Sequence, residues 1–275
     1  MSDLSDPTDG ALLERIEGYC DLVPRADTVP QEVGAFTLFV SRGGPGAYDY
    51  YARPRLGLDR PVTAADVGAV LDRQVELGVP RALEWVDETT PSLLAAAEAS
   101  GMVVERCPLL VLVGAPVTPP VEAQVRVLEA DDPDLAGVLA SISVGFGHPG
   151  TATGAVGSTE RDAEAASRVH GASATASAVR AGRTVVVGAL VAGVGAVGGG
   201  SHRPRGDTTE VVGVGVLPAY RRRGAAGAVT AALARTALDA GLTTVFCGAQ
   251  DDAVAHVYER VGFRRVGTAC IGRVE

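Results

Sequence analysis

The densest chemistry in the chain lies in one run, Glu210-Val211-Val212-Gly213-Val214-Gly215-Val216-Leu217-Pro218-Ala219-Tyr220-Arg221-Arg222-Arg223-Gly224-Ala225-Ala226-Gly227. An apolar strand stops at a proline, a basic turn containing glycine follows, and an alanine-rich helix begins. That order builds a site for a pyrophosphate. The strand fixes the turn, the glycine lets backbone N–H groups approach phosphate oxygens, and the helix N-terminus carries partial positive charge. Three consecutive arginines add formal charge where an anion would sit.

The run resembles motif A of the GNAT superfamily of N-acetyltransferases, whose pattern is Arg/Gln-x-x-Gly-x-Gly/Ala. Here it reads Arg221-Arg222-Arg223-Gly224-Ala225-Ala226. A second family stretch, Asn-x-x-Ala-x-x-x-Tyr-x-x-x-Gly-Phe, has a counterpart in residues 251–263. Tyr258, Gly262 and Phe263 match it, while Asp251 stands where Asn is usual. Two motifs in the right order, joined by a helix and a strand of suitable length, carry more weight than either alone. The resemblance covers about Val125 to Glu275.

The resemblance implies roles for individual residues. Arg221, Arg222, Arg223, Gly224, Ala225, Ala226 and Gly227 would hold the pyrophosphate of acetyl-CoA, mainly through backbone amides. Val214, Gly215 and Val216 would pair with the pantetheine arm as an added strand, and the same edge would offer an N–H to the thioester oxygen. Tyr258 would be the general acid that protonates the departing thiolate, and Glu210 the base that takes the amine proton. Asp251 falls at the cofactor end of the site, although Asp251 and Asp252 also suit a helix cap. Phe146 and His148 lie in the glycine-rich loop that closes over the acceptor in such proteins. The implied activity is direct transfer of an acetyl group from acetyl-CoA to a primary amine of a small molecule or peptide, without a metal. Two alternatives stay open. One is a related acyl-CoA transferase with another acceptor, as in a mycothiol-synthase-like tandem protein. The other is a non-catalytic acyl-CoA sensor or interaction module.

Composition sets the surroundings. The 275 residues suit one large domain or two modest ones, and 47% hydrophobic residues can fill a core. All 24 basic residues are arginine, and the net charge is −9, which argues against a nucleic-acid partner. Residues 1–119 hold 18 acids and 9 arginines, whereas residues 120–275 hold 15 of each. The neutral half carries the phosphate turn, which suits a polyanionic ligand. The four cysteines are scattered without a C-x-x-C pattern, consistent with reduced thiols in a cytoplasmic protein. Apolar runs are too interrupted for a membrane span, and the acidic N-terminus does not read as a signal peptide. A homodimer is compatible with this composition.

These residues need elements to position them. A proline-rich hinge, residues 116–124, divides the chain into residues 1–115 and 125–275. The C-terminal half reads as strand Val125–Leu128, helix Pro133–Val144, loop Gly145–Ser158, helical segment Glu160–Arg180, and strands Thr184–Leu190 and Gly193–Gly199. A turn follows at Ser201–Gly206, which would leave His202 in solvent. Strand Thr208–Leu217, helix Gly224–Ala240, strand Leu242–Ala249, helix Asp251–Val261 and two last strands complete it. This is the element order of a GNAT fold, an α/β architecture with a mixed central sheet flanked by helices. The N-terminal half echoes its end. Paired strands at Phe36–Ser41 and Tyr48–Arg53 precede a helix at Thr63–Leu77 with Val67, Val70, Leu71 and Val75 on one face. Strand Arg81–Val86, helix Pro91–Ser100 and strand Val103–Val113 follow, putting Ala97 where Tyr258 sits in the other half. No phosphate turn is found before Thr63. The chain thus reads as a degenerate GNAT-like copy followed by an intact one.

Overall fold

The computed structural model describes residues 7–42, 51–167 and 169–274. Contacts divide the chain into two compact units, residues 1–109 with 266–275, and residues 110–265.

Unit 1 begins with two elements that carry no clear sequence pattern, helix α1 (Pro7–Arg25) and strand β1 (Thr28–Val33). Gly10, Gly18 and Pro24 dilute the helical signal of α1, yet Leu13, Ile16 and Tyr19 are buried along one side. Strand β2 (Phe36–Ser41) pairs antiparallel with β1 and with β3 (Ala52–Pro54). The expected strand at Tyr48–Arg53 falls partly outside the described residues. Helix α2 (Ala64–Leu77) starts at a capping box, in which the Thr63 hydroxyl accepts the Asp66 amide and the Asp66 carboxylate accepts the Thr63 amide. Val67, Val70 and Leu71 are buried, but Val75 is exposed and Gln74 takes its place on the inner face. The Gln74 amide is drawn in because its Nε2 donates to the Ala82 carbonyl. Strand β4 (Ala82–Val86), helix α3 (Ser92–Ala99) and strand β5 (Val103–Leu112) complete the run.

The last strand, β11 (Phe263–Arg273), is one continuous element rather than two. Its residues Ala269–Arg273 pair antiparallel with β4, so the final ten residues belong to unit 1 and not to the C-terminal half. The strand order in this unit is β1-β2-β3-β4-β11-β5. Trp85, Phe36, Leu83, Leu93, Met102 and Cys270 share its core. A buried ion pair ties α1 down. Glu17 accepts hydrogen bonds from the Arg53 guanidinium (2.8 Å), the Val86 amide (2.8 Å) and the Thr89 hydroxyl (3.0 Å). Burial pushes the Glu17 carboxyl up, but Arg53 and these donors more than offset it and hold it below its ordinary value.

Unit 2 opens with strand β6 (Gln124–Leu128) and helix α4 (Leu135–Phe146), followed by α5 (Ser158–Ser167) and α6 (Val169–Arg180). Strands β7 (Val185–Val191), β8 (Gly195–His202) and β9 (Thr208–Val216) make an antiparallel sheet with β6 at its edge. A short 3-10 turn at Pro218–Tyr220 leads to helix α7 (Ala225–Asp239), then strand β10 (Thr244–Gly248) and helix α8 (Asp252–Glu259). Strand β10 lies parallel to β9. The period of two along β7 and β8 separates two cores. Val186 and Ala196 face α4, whereas Val187 and Val197 face α7, β10 and α8.

His202 corrects the expectation of a solvated turn, because β8 runs on through Ser201 and His202. The imidazole is buried, with Nδ1 3.1 Å from Thr209 Oγ1 and Nε2 3.2 Å from Thr236 Oγ1. The Thr236 hydroxyl donates to the Leu233 carbonyl, so its oxygen accepts from Nε2–H, and Nδ1 accepts from Thr209. Burial lowers the His202 pKa to about 4. Cys107, Cys247 and Cys270 are buried thiols and Cys20 is half-buried. Among the described residues no helix is long and apolar enough to cross a membrane.

Candidate active site

The site grows from the way β9 and β10 part. They pair in parallel only through Thr208–Thr244, Thr209–Val245 and Glu210–Phe246. On the other flank of β9 the register with β8 slips. Gly199 faces Gly215 and Ser201 faces Val212, so Gly200 opposes two residues, Gly213 and Val214. This is a bulge, and Gly213 takes the positive φ of 65° that it needs. The bulge turns the end of β9 away from β10. Residues Val211–Val216 then carry backbone groups with no described β10 partner.

The gap is a cavity of about 540 Å³, lined by Glu210 to Val216 on β9 and by Tyr258 and its neighbours on α8. It also reaches Gly145, Phe146 and the turn at Arg221, Arg222 and Gly224–Gly227. Helix α4 presses on one face of β9. A Cβ placed on Gly215 would lie 2.9 Å from the Ile142 carbonyl oxygen, so only glycine admits α4 there. The α7 face lies opposite, where a Cβ on Gly200 would meet Leu233, Val229 and Val214 at 3.0–3.2 Å.

The turn before α7 is set by two positive-φ residues, Arg222 (63°) and Gly224 (81°). A Cβ on Gly224 would come within 2.0 Å of the Pro120 carbonyl oxygen. The glycine is therefore required by the backbone around it, before any ligand is considered. No side chain caps α7, and its first helical bond is Ala228 N–H to Gly224 O. The amides of Ala225, Ala226 and Gly227 have no helical acceptor and line the cavity. This is an anion-binding arrangement. Helix α2 of unit 1 offers the contrast. Thr63 and Asp66 fill its N-terminus, and Arg60 holds Asp66 at 2.7 and 2.9 Å. That helix end is closed to an anion.

The three arginines have separate fates. Arg221 lines the cavity, but its guanidinium is engaged by backbone carbonyls. Its guanidinium donates to the carbonyls of Val216 (3.1 Å), Ala152 (3.1 Å), Gly145 (3.0 Å) and His148 (2.5 Å). All four acceptors are neutral, and burial lowers its pKa. Arg221 thus clamps the loop after α4 onto β9. Arg222 is exposed at the cavity wall. Arg223 stands outside the wall, stacked 5.3 Å from the Tyr220 ring and 3.7 Å from Glu122.

Tyr258 sits on α8, which starts because the Asp251 carboxylate accepts the Val254 amide at 2.8 Å. Asp251 is therefore a cap; it does not line the cavity. Tyr258 is 6% exposed, with its ring 6.1 Å from that of Phe263. Burial first, then the charges of Cys247 and Glu210, push its pKa well above the ordinary phenol value. At neutral pH it is a hydrogen-bond donor. Glu210 is half-buried on β9 at the last residue that pairs with β10. Phe146 is 60% exposed and lines the cavity. His148 does not; its Nδ1 lies 3.0 Å from the Val144 carbonyl, and its own carbonyl is held by Arg221. Thr151, Gln250 and Arg260 also line the cavity and were not picked out from sequence. Val254, Val257 and Val261, legible as the apolar face of Tyr258's helix, share this wall with them. Among the described residues no cluster of His, Cys, Asp and Glu is placed to hold a metal ion.

A bulged strand splayed from its parallel neighbour stands beside an uncapped helix start. Residues 159–263 match the family described as "Acetyltransferase (GNAT) family". Among solved structures the chain is similar to a GCN5-related N-acetyltransferase from Kribbella flavida, with 20% identity, TM-score 0.69 and 96% of each chain covered. It is also similar to a GCN5-related N-acetyltransferase from Sphaerobacter thermophilus (14% identity, TM-score 0.56, 88% of this chain and 81% of that one). A tandem GNAT protein from the clavulanic acid biosynthesis pathway is similar over 87% of this chain and 78% of its own, at 14% identity and TM-score 0.54. At these identities the likeness is one of fold. No curated protein matches the chain.

Proposed function

We propose that unit 2 transfers an acetyl group from acetyl-CoA to a primary amine by direct attack in a ternary complex. The observation that carries this reading is the edge of β9 beyond Glu210, Val211–Val216, which has no described β10 partner and leads to the uncapped start of α7. The edge offers a strand's worth of backbone groups to an amide-bearing arm. The three amides at the start of α7 suit its diphosphate. Acetyl-CoA would supply an activated acyl group on a thiol leaving group.

The chain's own residues then handle protons. The neutral amine nitrogen forms a bond to the thioester carbon, and the carbon–sulfur bond breaks. A β9 amide stabilises the oxygen as it gains charge. Glu210 takes the proton lost by the amine. Tyr258, kept as a phenol by its buried setting, donates its hydrogen to the departing sulfur. Its phenolate would be costly in that setting, so it must regain a proton from the Glu210 side or from solvent in the same turnover. Unit 1 would bind no second acetyl-CoA, since Thr63 and Asp66 fill the corresponding helix end.

Calorimetry with acetyl-CoA should give one site per chain, and amines should elicit release of free CoA thiol. Binding without thiol release from any amine would favour an acyl-CoA-binding module. A stoichiometry of two would overturn the reading of unit 1.

A further inference from the structure

We infer, on the footing of the acyl transfer proposed above, that the acceptor is a monoamine with an uncharged, apolar body and not a polyamine or other polycation. The cavity has two walls. On the side of α7 and α8 it carries positive charge. Arg222 belongs to the turn, and Arg260 adjoins Val261, whose Cγ2 would be 3.7 Å from a Cβ on Gly227. Both arginines line the cavity, and Arg222 belongs to the same turn as the amides that suit phosphate. On the side of α4 the wall consists of Gly145, Phe146, Pro149, Gly150 and Thr151, with no ionisable side chain. His148 is turned away to the Val144 carbonyl, and Arg221 is consumed by four carbonyls that fix this loop.

One carboxylate, Glu210, is found among the described residues that line the cavity. It can receive one ammonium group and take its proton. A second ammonium on the same molecule would meet either the uncharged α4-side wall or the guanidinium groups opposite. Neither replaces its lost hydration, and a desolvated charge without a partner is penalised. Phe146, left 60% exposed at the rim, offers an apolar surface to the body of the acceptor instead.

The test is a matched pair, hexylamine and 1,6-diaminohexane, which share a chain and differ by one ammonium. Each is given to the full chain with saturating acetyl-CoA, and CoA thiol release is followed. Hexylamine should have the higher kcat/KM by about tenfold or more, the size expected when one buried charge loses its partner. Thr151→Asp should narrow that ratio by giving the second ammonium a carboxylate, with acetyl-CoA affinity unchanged in calorimetry. Equal use of the two amines, or preference for the diamine, would overturn the substrate class and leave acyl transfer standing. A ratio that ignores Thr151→Asp would also overturn it, since the uncharged wall would not be the cause. If neither amine is acetylated, the substrate class falls, and the acetyl-CoA titration decides whether the reading of the site falls with it.

Discussion

At the scale of single residues, the two side chains expected to move protons differ in setting, Tyr258 being buried and Glu210 half-buried. Tyr258 is a phenol held firmly protonated by its surroundings, so its loss should be felt in chemistry more than in binding. Tyr258→Phe keeps the ring against Phe263 and removes only the hydroxyl. We expect kcat to fall by about 10²–10⁴-fold, the usual range for a general acid, with acetyl-CoA affinity nearly unchanged. Full activity in single-turnover experiments would make Tyr258 a packing residue. His202 has no part in the site, but it should govern stability in mild acid. Its pKa falls from 6.5 to about 4 on folding. The unfolded chain therefore binds a proton at pH values where the native state does not, and stability drops as pH falls from about 6.5 to about 4. The full effect is roughly 3 kcal/mol. Glu84, raised by burial, works in the opposite direction. The measurement is therefore the difference between the wild type and His202→Gln in urea denaturation at pH 7 and pH 5. The variant should be less sensitive to the change. Equal sensitivity would mean that His202 is not buried as a neutral imidazole.

At the scale of elements, the turn into α7 combines folding and binding in one place. Gly224→Ala puts a Cβ against the Pro120 carbonyl at a φ of 81°. It should cost about 2 kcal/mol or more and lower the urea midpoint, so lost binding in that variant would not by itself identify a phosphate site. Arg222→Glu is the cleaner probe, since its side chain is exposed at the wall. It should weaken acetyl-CoA binding about tenfold or more while the urea midpoint holds, because charge-assisted contacts to an anion are worth that much. An unchanged Kd would remove the turn from the site. The starts of α2 in unit 1 and α7 in unit 2 differ in the same respect. In α2 the Thr63 hydroxyl takes the Asp66 amide, the counterpart of the Gly227 amide in α7, and the Asp66 carboxylate stands at the helix start.

At the scale of the whole molecule, the two compact units do not coincide with the two halves of the sequence. Residues 110–112 of β5 are counted with unit 2, and residues 266–275 with unit 1. In unit 1 the end of β11 lies between β4 and β5 in strand order and brings Cys270 into the core. Deleting residues 266–275 should therefore remove an interior strand and not a tail. We expect unit 1 to lose cooperative unfolding and to become open to limited proteolysis within residues 1–109. A truncated chain with an unchanged melt would show that β11 is dispensable to unit 1.

The local elements of unit 2, including the turn into α7 and the helix that carries Tyr258, were legible from residue types alone. Each rests on short-range physics: a proline ending a strand, glycine at positive φ, an aspartate accepting from its own helix start, and valines spaced along one helix face. In the first half, the helix of Thr63–Leu77 was legible as well, from its capping residues and the spacing of its valines. What the sequence could not supply was partnership across distance. Arg221 reads as an anion ligand until four carbonyls, from Gly145, His148, Ala152 and Val216, are found around its guanidinium. His202 reads as a turn residue until Thr209 and Thr236 enclose it. The last strand reads as part of the C-terminal half until β4 pairs with it. Capping, turns and helix faces are decided within a few residues. The burial of a charge, the register of a strand and the wall of a cavity depend on which distant segments arrive, and only the tertiary structure decides that.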